Sequence, residues 1–472
     1  MRPYWKSLYV ALFGALMLLA DVRLCLFGYA LAGAYAVYEA VRTKQARRLW
    51  RFVPAGALVV LLTLSFSLPL LAWRPYLSRG ALAPEESGVF SLTPAQLVGL
   101  ILPPQGGNVE MLTYLGVPVL ALAVIGAVAA RRWFWVAAAG VAALYALGVN
   151  GFLWSALVRI VPALLWFRVP SRAWLVVALI APLLAGYGVQ ALLERRRFGA
   201  LVPLIIRAAS AAGGIFFILS VPAINGLALL VGGVGLGAVL LIFSGRNTLR
   251  PYVGLALIVV VFLDLAIAGR GWLEWRTHDV WLPPDQVHLA ERLVELGAYR
   301  VYSPTYSLQQ QVAEDYDLRL FGGVDPFQLS GVVAAVEQGG GIADPGYSVV
   351  VPPLNSDDLA LANRDAVPDA AALGRWGVTH VVAAYPLDAP NLEQVDVIDG
   401  VYVYANRDPS LTTEFPTTPA WAAGASDLPD AATVADLNQL TLTAAVISGA
   451  AFLGVLASLG LLTPPDVTKV KS

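Results

Sequence analysis

The sequence predicts a polytopic α-helical membrane protein with an α/β domain inserted before its last helix, and three observations carry that reading. Hydrophobic residues make up 58% of the 472-residue chain and charged residues only 13%, against roughly 25% charged in soluble domains. Apolar runs of near-bilayer length recur from the N-terminus to residue 269 and return close to the C-terminus. Between them, residues 270–437 carry Pro-Pro, Asp-Pro and Gly-rich breaks, many Asp and Gln residues and short strand-like runs.

A window of about 19 residues finds apolar runs at 5–20, 24–41, 53–73, 114–130, 133–149, 173–193, 200–222, 227–244, 251–269 and 438–462, which predicts about ten transmembrane helices. The N-terminal MRPYWKSLYVALFGALMLLADVRLC carries Arg2 and Lys6 ahead of apolar residues, as a signal peptide does. No small-x-small cleavage site follows, so it reads as a retained anchor. The first two runs meet at Asp21-Val22-Arg23, which predicts either a tight helical hairpin or one long broken helix.

Orientation follows from lysine and arginine, which accumulate on the cytoplasmic side. With the N-terminus inside, the inner connections hold Arg42, Lys44, Arg47, Arg48, Arg51, Arg131, Arg132, Arg195 to Arg197, Arg246, Arg250, Lys469 and Lys471. The outer ones hold only Arg74, Arg79, Arg159, Arg168 and Arg172. This predicts a multi-span domain over 1–269 in the cell (inner) membrane, with outer loops at 74–113 and 150–172. Residues 270–437 become an extracytoplasmic domain, 438–462 the C-terminal transmembrane helix and 463–472 a cytoplasmic tail.

Within 270–437, YRVYSP, YSVVVPP, THVVAAY and GVYVYAN read as strands, and DQVHLAERLVELG has helical spacing with Gly297 as its stop. The result is a small α/β domain. A net charge of -1 and the lack of a polybasic run exclude a nucleic-acid footprint. Cys25, the single cysteine, cannot form an internal disulfide. His278, His288 and His380 are scattered, so no cofactor is evident and a divalent metal has no support from ligand spacing.

Both outer loops read as interfacial. The 74–113 loop contains Pro-flanked apolar pieces too short to span, such as SLTPAQLVGLILPP. The 150–172 loop has apolar residues every three to four positions, with Trp154 and Trp166 suited to the headgroup layer. Together they predict an outer vestibule, or else plain membrane anchoring.

From about residue 8 to 462 the chain resembles the YfhO-like bacterial membrane proteins, which belong with the GT-C type of glycosyltransferases. The resemblance rests on SLTPAQLVGLILPP, TYLGVPVLALAVIGAV, WFRVPSRAWLVVALIAPLLAGYGVQAL, YDLRLFGGVDPFQLSGVVAAVE, LGRWGVTHVV and GVYVYANRDP, in that order. It implies transfer of a sugar from a polyprenyl-phosphate carrier to an envelope acceptor at the outer face, with inversion. That chemistry needs a carboxylate to deprotonate the acceptor and a cation beside the leaving phosphate.

Arg168 and Arg172 are the candidate lipid-phosphate ligands, because a guanidinium keeps its proton and grips two phosphate oxygens at once. Ser171 reads as the N-cap of the helix that follows them. The competing reading has both arginines snorkelling to lipid headgroups.

The base is harder to assign. The resemblance implies an acidic residue in a large outer loop just after the first span, and no such loop precedes the early spans here. The expectation is therefore a chain lacking the catalytic N-terminal portion, with a partner chain supplying it. Asp21 is the candidate substitute, against a reading in which Asp21 and Arg23 mark a turn and solvate each other. Glu85, Glu86 and Glu110 are candidate acceptor or loop contacts, or ordinary loop solvation. Asp325, in the GGVDPF turn, is a candidate lining of an acceptor groove, and Asp264 reads as a packing or capping contact. The alternative function is a non-catalytic scaffold or lipid-carrier-binding component of envelope assembly. No inverted repeat supports a transporter.

Overall fold

The computed structural model describes residues 3–102, 107–194, 250–273, 282–342, 346–412 and 428–459, with the single positions 233 and 237. The expected runs at 200–222 and 227–244, and the expectations for Arg195 to Arg197, Arg246, His278, Lys469 and Lys471, fall outside them. The chain forms two compact units. The first comprises Met1–Thr63, Ala83–Glu274 and Ala451–Ser472; the second comprises Leu64–Leu82 and Trp275–Ala450.

Among the described residues five helices are long and apolar enough to cross a membrane: Val22–Arg42, Ala46–Tyr76, Pro170–Ala191, Gly254–Trp272 and Ala431–Ser458. The chain is thus a multi-pass membrane protein. The sequence expectation of about ten is larger partly because α4 (Val117–Ala130) and α5 (Trp133–Ala146) have only 14 residues each. At 1.5 Å per residue they reach about 21 Å, short of a core of roughly 30 Å. The final helix begins at Ala431, earlier than the expected 438, because Asp430 caps it by accepting from Thr433 N–H at 2.8 Å.

The N-terminal ambiguity resolves as a hairpin. Helices α1 (Pro3–Ala20) and α2 (Val22–Arg42) run antiparallel, with Tyr29 OH donating to the Gly14 carbonyl at 2.6 Å. The Met17 side chain packs over Gly28, its Cε 2.1 Å from where a Cβ would stand.

Helix α7 (Trp174–Leu193) is the hub of this unit. Half of its apolar window is buried, against 11% to 17% for the other four candidate spans. Its contact with α4 is made by glycines: a Cβ on Gly126 would lie 1.9 Å from the Leu184 carbonyl oxygen, and one on Gly188 2.1 Å from that of Leu122. Without a hydrophobic drive between helices in lipid, such backbone proximity supplies the packing. Ile125, Ala146, Trp154 and Ile180 fill the core around it.

In the second unit a five-stranded sheet runs in the order β2-β1-β5-β7-β6. Strands β1 (Arg300–Tyr302), β2 (Arg319–Leu320) and β5 (His380–Ala383) are parallel, and β6 (Leu392–Ile398) and β7 (Val401–Asn406) continue antiparallel. Of the four runs expected as strands, three supply β1, β5 and β7. YSVVVPP instead supplies β4 (Val350–Val351), which pairs with β3 (Gly323–Val324) in a separate ladder. Val301, Val382 and Val403 pack into one core, whereas Tyr302, Val381 and Tyr404 pack into another. Both faces are therefore covered, which is why these strands lack polar alternation.

Residues 74–82 correct the expected loop. Leu77 bridges Leu329, Ser78 N–H donates to the Gln328 carbonyl at 2.9 Å, and Ser330 Oγ donates to the Tyr76 carbonyl at 3.1 Å. Arg79, expected as an outer-loop cation, is 8% exposed and lies over the Phe327 and Tyr347 rings at 6.0 and 5.9 Å.

Candidate functional site

The membrane unit gathers its polar chemistry where the segments 83–116 and 147–174 meet. Several backbone links knit them: Leu92 N–H donates to the Ala146 carbonyl, Val169 N–H to the Ser87 carbonyl, and Val149 N–H to Ser91 Oγ at 3.1 Å. Asn150 Nδ2 adds a bond to the Leu92 carbonyl at 3.2 Å. Gly148 makes the join possible through its φ of +49° and its missing side chain, since a Cβ would fall 1.9 Å from Ser91 Oγ.

Both candidate arginines are held from this junction. Arg172 grips Glu110, with Nε 3.2 Å from each carboxylate oxygen and Nη2 on Oε1. This fork-on-carboxylate geometry is the strong form of the charge-assisted bond. Glu110 is presented by a short turn, Val109–Met111, whose cap Asn108 accepts from Glu110 N–H at 2.8 Å. Arg168 donates through Nε to the Glu86 carbonyl at 3.0 Å.

The backbone between the arginines is strained. Val169 has φ 68° and ψ 74°, a left-handed conformation that β-branched residues avoid, and the following Pro170 disfavours departures from extended backbone further. Such outliers concentrate where geometry serves function. Ser171 is not the cap expected of it. The helical turn Pro170–Ala173 starts after Val169, and Ser171 Oγ is buried without a hydrogen-bond partner.

Asp21 belongs to the same unit, and its contacts are those of a turn residue paired with Arg23. It caps α2, accepting from the backbone N–H of Arg23 at 2.7 Å and of Leu24 at 3.2 Å. Its carboxylate also binds the Arg23 guanidinium at 2.6 Å. The Arg23 side-chain hydrogen bond above all, with the two backbone donors, draws its pKa down to about 2 against some opposing desolvation. Asp21 is thus a helix cap and ion-pair partner, the contacts expected of a turn in which Asp21 and Arg23 solvate each other. The charge of Glu110 acts on Arg23 as well.

The remaining candidates separate. Glu86 caps its own turn by accepting from Ala83 N–H at 2.6 Å. Glu85 is exposed. Asp325 belongs to the α/β unit, where Oδ1 accepts from Phe327 N–H at 2.6 Å and closes a turn. Trp154, expected in the headgroup layer, is 1% exposed in the core. Among the described residues no three His, Cys, Asp or Glu side chains stand together as metal ligands.

Asp264, read from the sequence as a packing or capping contact, is fully buried in α8 (Arg250–Gly269), where it accepts from Tyr114 OH at 2.7 Å and tethers the segment leading into α4, a partner that sequence reasoning did not identify. An ionisable residue inside an apolar run was the available signal, but 150 residues separate it from its partner. No protein-family model matches the chain, and neither a curated protein nor a solved structure is found to be similar to it.

Proposed function

We propose that the chain is a membrane glycosyltransferase-like protein, or part of one, of the YfhO-like GT-C kind. It would transfer a sugar from a polyprenyl-phosphate carrier to an envelope acceptor at the outer face of the cell membrane. In this reading the multi-pass bundle holds the arginine junction at that face, and residues 270–437 are extracytoplasmic.

The observation that carries the proposal is the Arg172–Glu110 pair beside the strained Val169. The carrier phosphodiester offers Arg172 the same two-oxygen geometry as a carboxylate, and its phosphate gains negative charge as the sugar departs. When the carrier phosphate takes Arg172, Glu110 is released next to the reacting centre, where it serves as the acceptor's base. Arg168 supplies a second guanidinium three residues upstream of Ser171 in the same segment.

The alternative, a non-catalytic scaffold or carrier-binding component with catalysis in a partner chain, is favoured by one observation. The α1–α2 connection is the single residue Asp21, already engaged with Arg23, where the resemblance implies a large acidic loop.

The test is binding and turnover with labelled polyprenyl-phosphate sugars on the reconstituted chain. Arg172→Ala is expected to weaken carrier binding by about tenfold or more, corresponding to roughly 1.4 kcal/mol. Glu110→Gln is expected to retain binding and abolish transfer. Binding without transfer by the wild-type chain supports the scaffold, and unchanged binding in Arg172→Ala and Arg168→Ala removes both arginines from the site.

A further inference from the structure

We infer that the α/β unit contains a binding site for a neutral, hydroxyl-rich ligand of monosaccharide class, in a cavity beside Asn363, a residue bonded to the segments just beyond β1 and β5. This site lies outside the arginine junction on which the proposed function rests. In the order β2-β1-β5 the chain leaves β1 toward β2 and later returns to pair β5 on the other side of β1. The order in which strands are added therefore reverses between the parallel strands β1 and β5, the position where open α/β sheets open a ligand crevice beyond their strand ends.

Asn363 ties that crevice together. Its Nδ2 donates to the carbonyl of Pro304, just beyond β1, at 2.8 Å and to that of Pro353 at 2.9 Å. Its own carbonyl accepts from the hydroxyl of Tyr385, just beyond β5. Its backbone N–H donates to Asn355 Oδ1 at 2.7 Å, and its φ is +53°. With Ala366 N–H also donating to its backbone carbonyl at 2.9 Å, five bonds fix a 5%-exposed residue in a left-handed conformation, and Asn363 Oδ1 has no hydrogen bond among the described residues. Thr305 Oγ1 reinforces the frame by accepting from Ala384 N–H at 3.2 Å.

A cavity of about 230 Å³ adjoins this residue. It is smaller than the roughly 300 Å³ at which pockets for larger ligands begin, so it admits one ring. Its polar wall is Asn355, Asn363 and Asp365, and its apolar wall is Ile342, Pro353 and Ala366. Among the described residues that line it the one charged group is the Asp365 carboxylate, which favours a neutral ligand over an anion. The oxygens on its wall are acceptors, matching the hydroxyl donors of a sugar, and the apolar side suits a sugar's C–H face. A single carboxylate is a poor match for Ca²⁺, which takes 6–8 oxygen ligands.

The test uses the full chain in phospholipid nanodiscs prepared without sugar-headgroup detergent, titrated with free glucose, galactose, mannose and N-acetylglucosamine. The expected result is saturable binding of at least one sugar with a Kd on the order of 1 mM. Asp365→Ala should weaken it at least tenfold, and Ala366→Trp should abolish it while leaving the thermal midpoint in place. Arg172→Ala should leave it unchanged, which separates this site from the arginine junction. Absence of saturable binding of all four sugars, wild-type affinity in both cavity variants, or binding of Ca²⁺ instead of a sugar would overturn the inference.

Discussion

Val169 stores strain between two arginines, and that gives it an unusual mutational signature. A left-handed conformation costs an L-residue about 1–2 kcal/mol, whereas burial of a valine contributes about 1.5–3 kcal/mol. Val169→Gly relieves the first and loses the second, so stability should fall by no more than about 2 kcal/mol. The same change at Val177, buried inside α7, also adds a helix penalty of about 1 kcal/mol and should cost clearly more. Thermal unfolding of the two variants compares these costs. If the strained turn orients the arginines, Val169→Gly should also lose carrier affinity that Val177→Gly retains. Sequence could nominate Arg168 and Arg172 because cations at the start of an apolar run are conspicuous. It could not pair Arg172 with Glu110, since 62 residues separate them and no local pattern records that distance.

At the level of elements, the α4–α7 contact depends on two absent side chains. In Gly126→Ala the new Cβ would meet the Leu184 carbonyl oxygen, and backbone cannot rotate away as a long side chain can. A loss of about 1–3 kcal/mol, or of folded protein altogether, is expected. Gly140→Ala, where a Cβ meets nothing within 4 Å, should be neutral or stabilising by up to about 1 kcal/mol. Detergent-stability midpoints of the pair distinguish close helix packing from a general intolerance of glycine replacement. Helix ends were legible to within a few residues wherever composition changed abruptly, as at Trp73 and Arg250. Strand β6 was not, because LEQVDVI mixes charge into a sheet edge and resembles loop sequence.

Across the whole molecule, acid should weaken the α/β unit through His380. Burial first, then the nearby charge of Arg407, pushes its imidazole down to about 4 from the ordinary 6.5. Between those values the unfolded chain binds the proton that the folded unit refuses. Stability is therefore complete above pH 6.5 and declines as pH falls toward 4. Unfolding followed from pH 7.5 to 4.5 should show that slope, and His380→Gln should flatten it.

The pairing of residues 74–82 with 328–330 means that the α/β unit is assembled from two distant stretches of chain. Excision of 275–430 as a water-soluble fragment, which stops short of the final membrane helix, would discard the Leu77 bridge and uncover the Phe327 ring beneath Arg79. Such a fragment should aggregate on expression. Restoring 74–82 as a fused or separately added peptide should return it to solution, so the boundaries for dissecting this protein are spatial ones.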